Sequence, residues 1–172
     1  MPGPAAAAPI APVQTQPMAD PISCGICRLH DAIAAGGAEA ELLIHRQGPW
    51  VLRHHPLPAP LPGWLLLDSV RHLGGAADFE PAEAAAYGPM LQRASALVRQ
   101  LSGCDRVYAI AFGEGARHLH VHLIPRHGDD PASESWKVAD LYRAMVDGQR
   151  PPADPESVAD LVRRAREITA AW

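Results

Sequence analysis

The first two thirds of the chain alternate between short apolar runs and clusters of turn-forming residues. Apolar runs bounded by Gly, Pro or polar residues are typical of β-strands. Three such runs lie at residues 41–45, 50–54 and 64–67, and a Pro-rich link at 56–62 separates the last two. In a fourth run, at 106–112, the residues that would face either side of a strand are apolar, which predicts a central strand covered on both faces. Together the runs predict an antiparallel sheet.

Apolar residues at helical spacing predict four helices. Two are short, at 29–35 and 140–146, and one begins at 154–156, where an acidic cap precedes Pro and Glu. The fourth is long, extends from Pro81 to Leu101, and is expected to kink or break at Gly88-Pro89. The helices beyond residue 130 are expected to pack on the sheet or on a second subunit.

Residues 118–126 read His-Leu-His-Val-His-Leu-Ile-Pro-Arg and follow the turn Gly113-Glu114-Gly115. In a strand, His118, His120 and His122 share one face at steps of about 6.6 Å, while the intervening apolar residues face a core. The turn predicts that this strand pairs with the preceding one. Three aligned imidazoles are costly to bury without partners, and histidine serves as nucleophile, general acid or base, and metal ligand near neutral pH. The pattern therefore favours catalysis or metal binding over a purely structural role.

Composition restricts the class of protein. The chain has 172 residues, 48% of them hydrophobic, and a formal net charge of −4. No basic patch and no apolar run long enough for a bilayer occur, so neither nucleic acid nor a membrane is the expected partner. Residues 1–21 are rich in Pro and Ala and lack the parts of a signal peptide, which predicts a disordered tail on a cytoplasmic protein. We expect one main domain at 22–130 and a helical extension at 131–172.

The cysteines indicate metal or redox chemistry rather than a disulfide scaffold. Cys24 and Cys27 have the two-residue spacing that lets both sulfurs reach one metal ion. A redox pair is the alternative, although the surrounding βαβ pattern of such sites is missing. Cys104 is predicted to be a small buried thiol. Five other histidines are predicted to be surface or loop residues: His30, His45, His54, His55 and His127.

The spacing of the three histidines and the following Pro-Arg resembles the histidine triad (HIT) superfamily of nucleotidyl hydrolases and transferases. Cys24-Gly25-Ile26-Cys27 resembles the opening of its zinc-containing members, and residues 63–72 resemble the family's strand and turn that a His closes. The similarity covers roughly residues 22–130. It implies an α+β fold with an antiparallel sheet, a long helix packed on it and added C-terminal helices, and it implies a homodimer.

The resemblance also implies a metal site. Its four ligands are Cys24, Cys27, His72 and His118, a closed Cys₂His₂ set that indicates a structural zinc. An open catalytic zinc shared by His118 and His120 is the alternative.

In the family that this motif resembles, the middle histidine attacks phosphorus. That role falls to His120, with His122 donating to a phosphate oxygen and Gly113 and Glu114 placed to contact the substrate. The implied enzyme is a nucleoside phosphoramidase or dinucleoside polyphosphate hydrolase acting on a small phosphorylated or nucleotide substrate. Glu114-Gly115 and His54-His55-Pro56 depart from the family's phosphate and ribose contacts. A non-catalytic, zinc-bearing module that binds nucleotide or phosphate is the alternative.

Overall fold

A computed structural model describes residues 23–172, so the tail predicted at residues 1–21 lies outside the described part of the chain. Within the described residues, five strands form one antiparallel sheet in the order β1-β2-β3-β5-β4. The strands are β1 (Leu43–Gln47), β2 (Trp50–His54), β3 (Leu65–Ser69), β4 (Arg106–Ile110) and β5 (His120–Arg126). The predicted pairing of the histidine strand with the strand before it is confirmed.

Four α-helices accompany the sheet in residues 23–172. They are α1 (Gly25–Ala34), α2 (Pro81–Ser102), α3 (Val138–Val146) and α4 (Pro155–Thr169). The start of α4 follows from its sequence: Asp154 accepts a hydrogen bond from the backbone N–H of Ser157, and Pro155 occupies the first turn. The α+β architecture predicted from the sequence is confirmed.

The main core lies between one face of the sheet and helices α2 and α4. Alternate residues of the strands point into it, and the predicted inward positions of the histidine strand are confirmed by Leu119, Val121 and Leu123. The helices contribute the buried side chains Met90, Ala94, Leu97, Val98, Val158, Leu161, Val162 and Ala165. Helix α4 packs against β1 and α2 within the same core, so its apolar side chains are buried within this chain. Cys104 is buried there, as predicted.

Two predictions about individual elements need correction. Helix α2 does not break at Gly88-Pro89: it runs as one helix from Pro81 to Ser102, with Pro89 on its exposed side. Strand β4 is an edge strand rather than a central one, with Arg106 and Ala109 exposed. Its apolar composition identifies a strand but does not fix its position in the sheet.

A smaller difference concerns the first strand, which begins at Leu43 because residues 38–42 form a 3₁₀ turn. Among residues 23–172, no helix has both the length and the apolar character needed to cross a membrane.

Candidate active site and metal centre

The second face of the sheet carries the polar residues of the site. In the strand register, Leu66 pairs with both Arg53 and His122, and Asp68 pairs with His120. Directly paired residues on antiparallel strands project to the same face. Arg53, Asp68, His120 and His122 therefore share one face, opposite the main core.

His120 is held in one tautomer by the backbone. Its Nδ1 lies 2.6 Å from the carbonyl oxygen of His118, which can only accept, so Nδ1 carries the proton. In the neutral ring, Nε2 then carries a free lone pair. The side chain is half-buried and lines a cavity. The ring therefore has the electronic form that a nucleophile requires.

His122 is held in the opposite tautomer. The indole Nε1–H of Trp64 donates to His122 Nδ1 over 3.0 Å, so in the neutral ring the proton sits on Nε2. Burial, followed by the proximity of His120, His55 and Arg53, lowers the pKa of His122 to about 3. The ring centroids of His120 and His122 are 5.1 Å apart. A lone pair and an N–H donor thus lie side by side.

The cavity beside these rings has a volume of about 280 Å³. It is lined mainly by apolar side chains, and helix α3 provides one of its walls. The lining residues are Ile26, Arg53, His55, Pro56, Leu57, Pro58, Leu66, His120, His122, Tyr142, Met145 and Val146. An apolar cavity with a few convergent polar groups is typical of a small-molecule site. Its α3 wall could not be anticipated from the histidine motif.

The side chains of Cys24, Cys27, His72 and His118 form a cluster able to hold a metal ion, with all four ligand atoms within 4.8 Å of one another. Cys27 Sγ lies 3.3 Å from His72 Nδ1 and 3.4 Å from His118 Nδ1, and Cys24 Sγ lies 3.6 Å from His118 Nδ1. His118 Nε2–H donates to the carbonyl of Ser69 over 2.7 Å. This bond leaves Nδ1 unprotonated and turned toward the sulfurs, as metal-binding histidines are usually held.

Sequence reasoning missed a buried ion pair under the site. Arg53 is 2% exposed and Asp68 is 0% exposed. Arg53 Nε donates to Asp68 Oδ2 over 2.6 Å, and His30 Nε2 lies 3.1 Å from the same oxygen. Burial by itself raises the pKa of the Asp68 carboxyl, but Arg53 and His30 outweigh burial and hold that pKa below its usual value. The available signal was Arg53 within one mainly apolar run and Asp68 directly after the next.

The prediction that five further histidines are surface or loop residues is wrong for three of them, whereas His55 and His127 do lie in loops. His54 and His55 are buried, because the Pro-rich link folds back over them, and His30 packs on Asp68. His45 lies in strand β1 and is partly buried. Only His55 joins the cavity, where burial lowers its pKa.

Gly113 and Glu114 lie in the loop between β4 and β5 and do not line the cavity of His120 and His122. Gly113 adopts a left-handed φ of 72°, which favours glycine at this turn. Glu114 is exposed. The structure thus brings the histidines and cysteines together but not these two residues, whose contact with a substrate stays a prediction.

Comparison with solved structures identifies the architecture. A zinc-bound histidine triad family protein from Mycobacterium smegmatis superimposes with a TM-score of 0.62 at 17% identity, covering 89% of this chain and 100% of that one. This chain has the histidine triad fold. A Hit-like protein involved in cell-cycle regulation from Bartonella henselae matches with a TM-score of 0.59 at 13% identity, over 84% of this chain and 95% of that one.

The histidine triad fold also occurs in an enzyme. Diadenosine triphosphate hydrolase from Plasmodium falciparum matches with a TM-score of 0.54 at 14% identity, covering 76% of this chain and 78% of that one. No protein-family profile and no curated protein sequence matches the chain. The similarity is therefore one of fold.

Proposed function

We propose that this protein is a nucleotidyl or phosphoryl hydrolase or transferase that uses His120 as its nucleophile on a phosphorus–nitrogen or phosphorus–oxygen bond. The observation that carries the proposal is the hydrogen bond from His120 Nδ1 to the carbonyl of His118. It leaves Nε2 as a lone pair beside the His122 N–H donor, and both rings line one cavity. An activated nucleophile next to a donor for developing negative charge is the arrangement that group transfer requires.

The reaction then has two steps. His120 Nε2 forms a bond to phosphorus as the bond to the leaving group breaks, and the leaving amine or oxygen takes a proton from solvent. The His122 N–H stabilises the charge that builds up on a non-bridging oxygen. Water, or another hydroxyl acceptor, next attacks phosphorus and loses its proton as the bond to His120 breaks. The imidazole is restored and a phosphate monoester or diester is released.

The substrate class we propose is a nucleoside phosphoramidate or a dinucleoside polyphosphate. The similarity in fold to diadenosine triphosphate hydrolase supports this class. The apolar walls of the cavity, to which Ile26, Leu57 and Leu66 contribute, offer a surface for a base or another flat apolar group. The alternative is a non-catalytic module that binds the same ligands in the same cavity.

Replacement of His120 by Asn separates the two hypotheses. The variant keeps polarity and approximate size but has no comparable nucleophile. We expect turnover of a panel of nucleoside phosphoramidates, dinucleoside polyphosphates and nucleotidyl sugars to fall by about 10³-fold or more, with nucleotide affinity retained. Release of the monophosphate is followed by chromatography, and affinity by calorimetry.

His127→Asn is the matched control, because His127 follows strand β5 and does not line the cavity. It should retain wild-type turnover. A wild-type protein that binds nucleotides but turns over no member of the panel would support the binding module instead. Turnover retained by His120→Asn would refute the proposed nucleophile.

We also propose that the cysteine–histidine cluster holds one structural zinc. In a tetrahedral site with zinc–sulfur bonds of about 2.3 Å and zinc–nitrogen bonds of about 2.05 Å, sulfur and nitrogen are about 3.6 Å apart. The three sulfur–nitrogen distances of the cluster lie between 3.3 and 3.6 Å. Two thiolates and two imidazoles would close the coordination sphere without an open position. Zinc would then link α1 to the loop after β3 and to the start of β5.

Metal analysis and one variant test the zinc site. Protein purified without added metal should contain about one zinc per chain, and Cys24→Ala should lose it together with thermal stability, because a closed site couples metal binding to folding. Activity should fall only as far as folded protein is lost. Cys104→Ala removes a buried thiol outside the cluster and should keep the zinc. Freely titratable Cys24 and Cys27 thiols in the purified wild type would contradict the proposal.

A homodimer is the oligomeric state that we propose. Strand β4 is at the edge of the sheet and pairs only with β5 within the described residues. An unpaired edge presents backbone N–H and C=O groups that a second copy can bind. Light scattering should give twice the mass of one chain, and the mass of a single chain would exclude this assembly.

A further inference from the structure

The guanidinium of Arg53 is fixed on two sides by one carboxylate. Nε donates to Asp68 Oδ2 over 2.6 Å, and the second amino nitrogen, Nη2, donates to Oδ1 over 3.3 Å. Asp68 is itself held by His30 Nε2, 3.1 Å away. A planar guanidinium held in this paired geometry cannot turn away without breaking both bonds. The direction of its remaining nitrogen is therefore set by the fold.

That remaining nitrogen, Nη1, is buried and has no hydrogen-bond partner among residues 23–172. A buried donor left unpaired costs about 1–3 kcal/mol, and such groups in folded proteins call for an explanation. Arg53 lines the same cavity as His120 and His122, and it lies one strand away from His122 across Leu66. The residue that carries the unpaired donor thus belongs to the wall of the cavity that holds both histidines.

The cavity has little other charge. Of its lining residues within 23–172, Arg53 alone carries a permanent charge, and the three histidines that line it have either a lowered pKa or a tautomer fixed by the backbone. Asp68 does not line the cavity. An anion that enters would meet apolar walls, imidazole rings and one guanidinium.

We propose that Arg53, oriented by Asp68, binds an anionic phosphoryl oxygen of the substrate through its free Nη1 donors. This inference rests on the proposed function and names the group that recognises the phosphate. Arginine suits this role because its charge is permanent and its donors match phosphate geometry. Asp68 is a positioning residue that acts through Arg53.

The test uses inorganic phosphate as the probe, because it needs no knowledge of the base or leaving group. The metal-loaded protein is titrated with sodium phosphate at constant ionic strength, and the imidazole resonances of His120 and His122 are followed by NMR. In the wild type we expect both sets of resonances to shift and saturate. In Arg53→Met/Asp68→Leu we expect binding at least about tenfold weaker, since a charged hydrogen bond is lost.

The double variant replaces a buried ion pair by apolar side chains, an exchange that often preserves stability, and it leaves the net charge unchanged. Arg53→Lys is the second variant; it keeps the charge but lacks the paired donors, and it should bind phosphate at least about threefold more weakly. Arg150→Gln removes one positive charge at a partly exposed ion pair with Asp130, outside the cavity, and should keep wild-type affinity.

Three results would overturn the inference. They are phosphate binding that is equally tight in the wild type and the Arg53 variants, a wild type whose His120 and His122 resonances do not respond to phosphate, and acetate bound as tightly as phosphate. Failure of the proposed function is a different observation, namely turnover retained by His120→Asn. Phosphate binding by that variant, which keeps Arg53, separates the two.

Discussion

His54 connects the two ends of the Pro-rich link between β2 and β3. It is 0% exposed. Its Nδ1–H donates to the carbonyl of His55 over 2.8 Å, and its Nε2 accepts the backbone N–H of Gly63 over 3.0 Å. Only a neutral ring can do both, because protonation of Nε2 would remove the acceptor. Burial, the largest influence, lowers the pKa of His54 to about 4.

This buried histidine predicts a loss of stability in acid. Above pH 6.5 the ring is neutral in both the folded and the unfolded chain. Between about pH 6.5 and 4 the unfolded chain binds a proton that the folded chain does not, so the free energy of unfolding falls as the pH falls. The contribution of His54 reaches about 3 kcal/mol. In His54→Gln, urea denaturation from pH 7.5 to 4.5 should show a shallower decline.

Replacing His54 by Gln also lowers the free energy of unfolding by an amount that does not depend on His54 protonation. This amount is measured at pH 7.5, where His54 is neutral in both states, and subtracted from the difference at each lower pH. Wild-type and variant curves that remain parallel from pH 7.5 to 4.5 would show that His54 does not contribute to the acid sensitivity.

At the scale of elements, α2 is a 22-residue helix that contains a proline yet remains continuous. Proline in a helix interior removes one backbone hydrogen bond and crowds the preceding turn. Glu80 and Glu83 form a capping box at its start, and its buried residues include Met90 and Ala94. Packing on the sheet therefore outweighs the local preference of Pro89, which the sequence pattern alone could not show.

Pro89→Ala should stabilise the protein. Alanine restores the missing N–H and the helical preference, a gain of about 1–3 kcal/mol that is reduced because the unfolded chain also gains freedom. The free energy of unfolding from urea denaturation measures it. Pro81→Ala is the matched control, because Pro81 occupies the first turn, where proline is favourable, and it should give no gain. A Pro89→Ala variant no more stable than Pro81→Ala would contradict this account.

At the scale of the whole molecule, features that depend on local sequence patterns are predicted better than features that depend on long-range contacts. The period of the apolar residues predicts the strands and helices to within a few residues, and the two-residue spacing of the cysteines predicts that both join one cluster. The pairing of Arg53 with Asp68 depends on the register between two strands, and the burial of His54 depends on how the Pro-rich link folds back. The α3 wall of the cavity likewise depends on tertiary packing. Each of these joins residues through contacts that no short segment of sequence determines.

The C-terminal helix α4 is part of the main core. Leu161 is 7% exposed, and its Cδ1 lies close to Gly63 at the start of the β3 region. Leu161→Ala should therefore lower the free energy of unfolding by about 2–4 kcal/mol in a single transition monitored by circular dichroism. Arg164→Ala, an exposed position on the same helix, should change it by less than about 0.5 kcal/mol. A separate early transition for α4 in Leu161→Ala would show instead that the helix is an independent unit.

Helix α1 contains no fully buried residue, and its links to the sheet include the metal cluster through Cys27 and the contact of His30 with Asp68. A segment with so few buried contacts belongs to the part of a fold that opens first. With the proposed zinc in place, chelation should therefore speed amide hydrogen exchange in α1 while the sheet stays protected. Ile26 of the same helix lines the cavity of His120 and His122. Zinc and a ligand in that cavity would consequently be linked thermodynamically. A ligand that packs on Ile26 would slow the opening of α1 and tighten zinc binding, by the same coupling free energy with which zinc would tighten ligand binding.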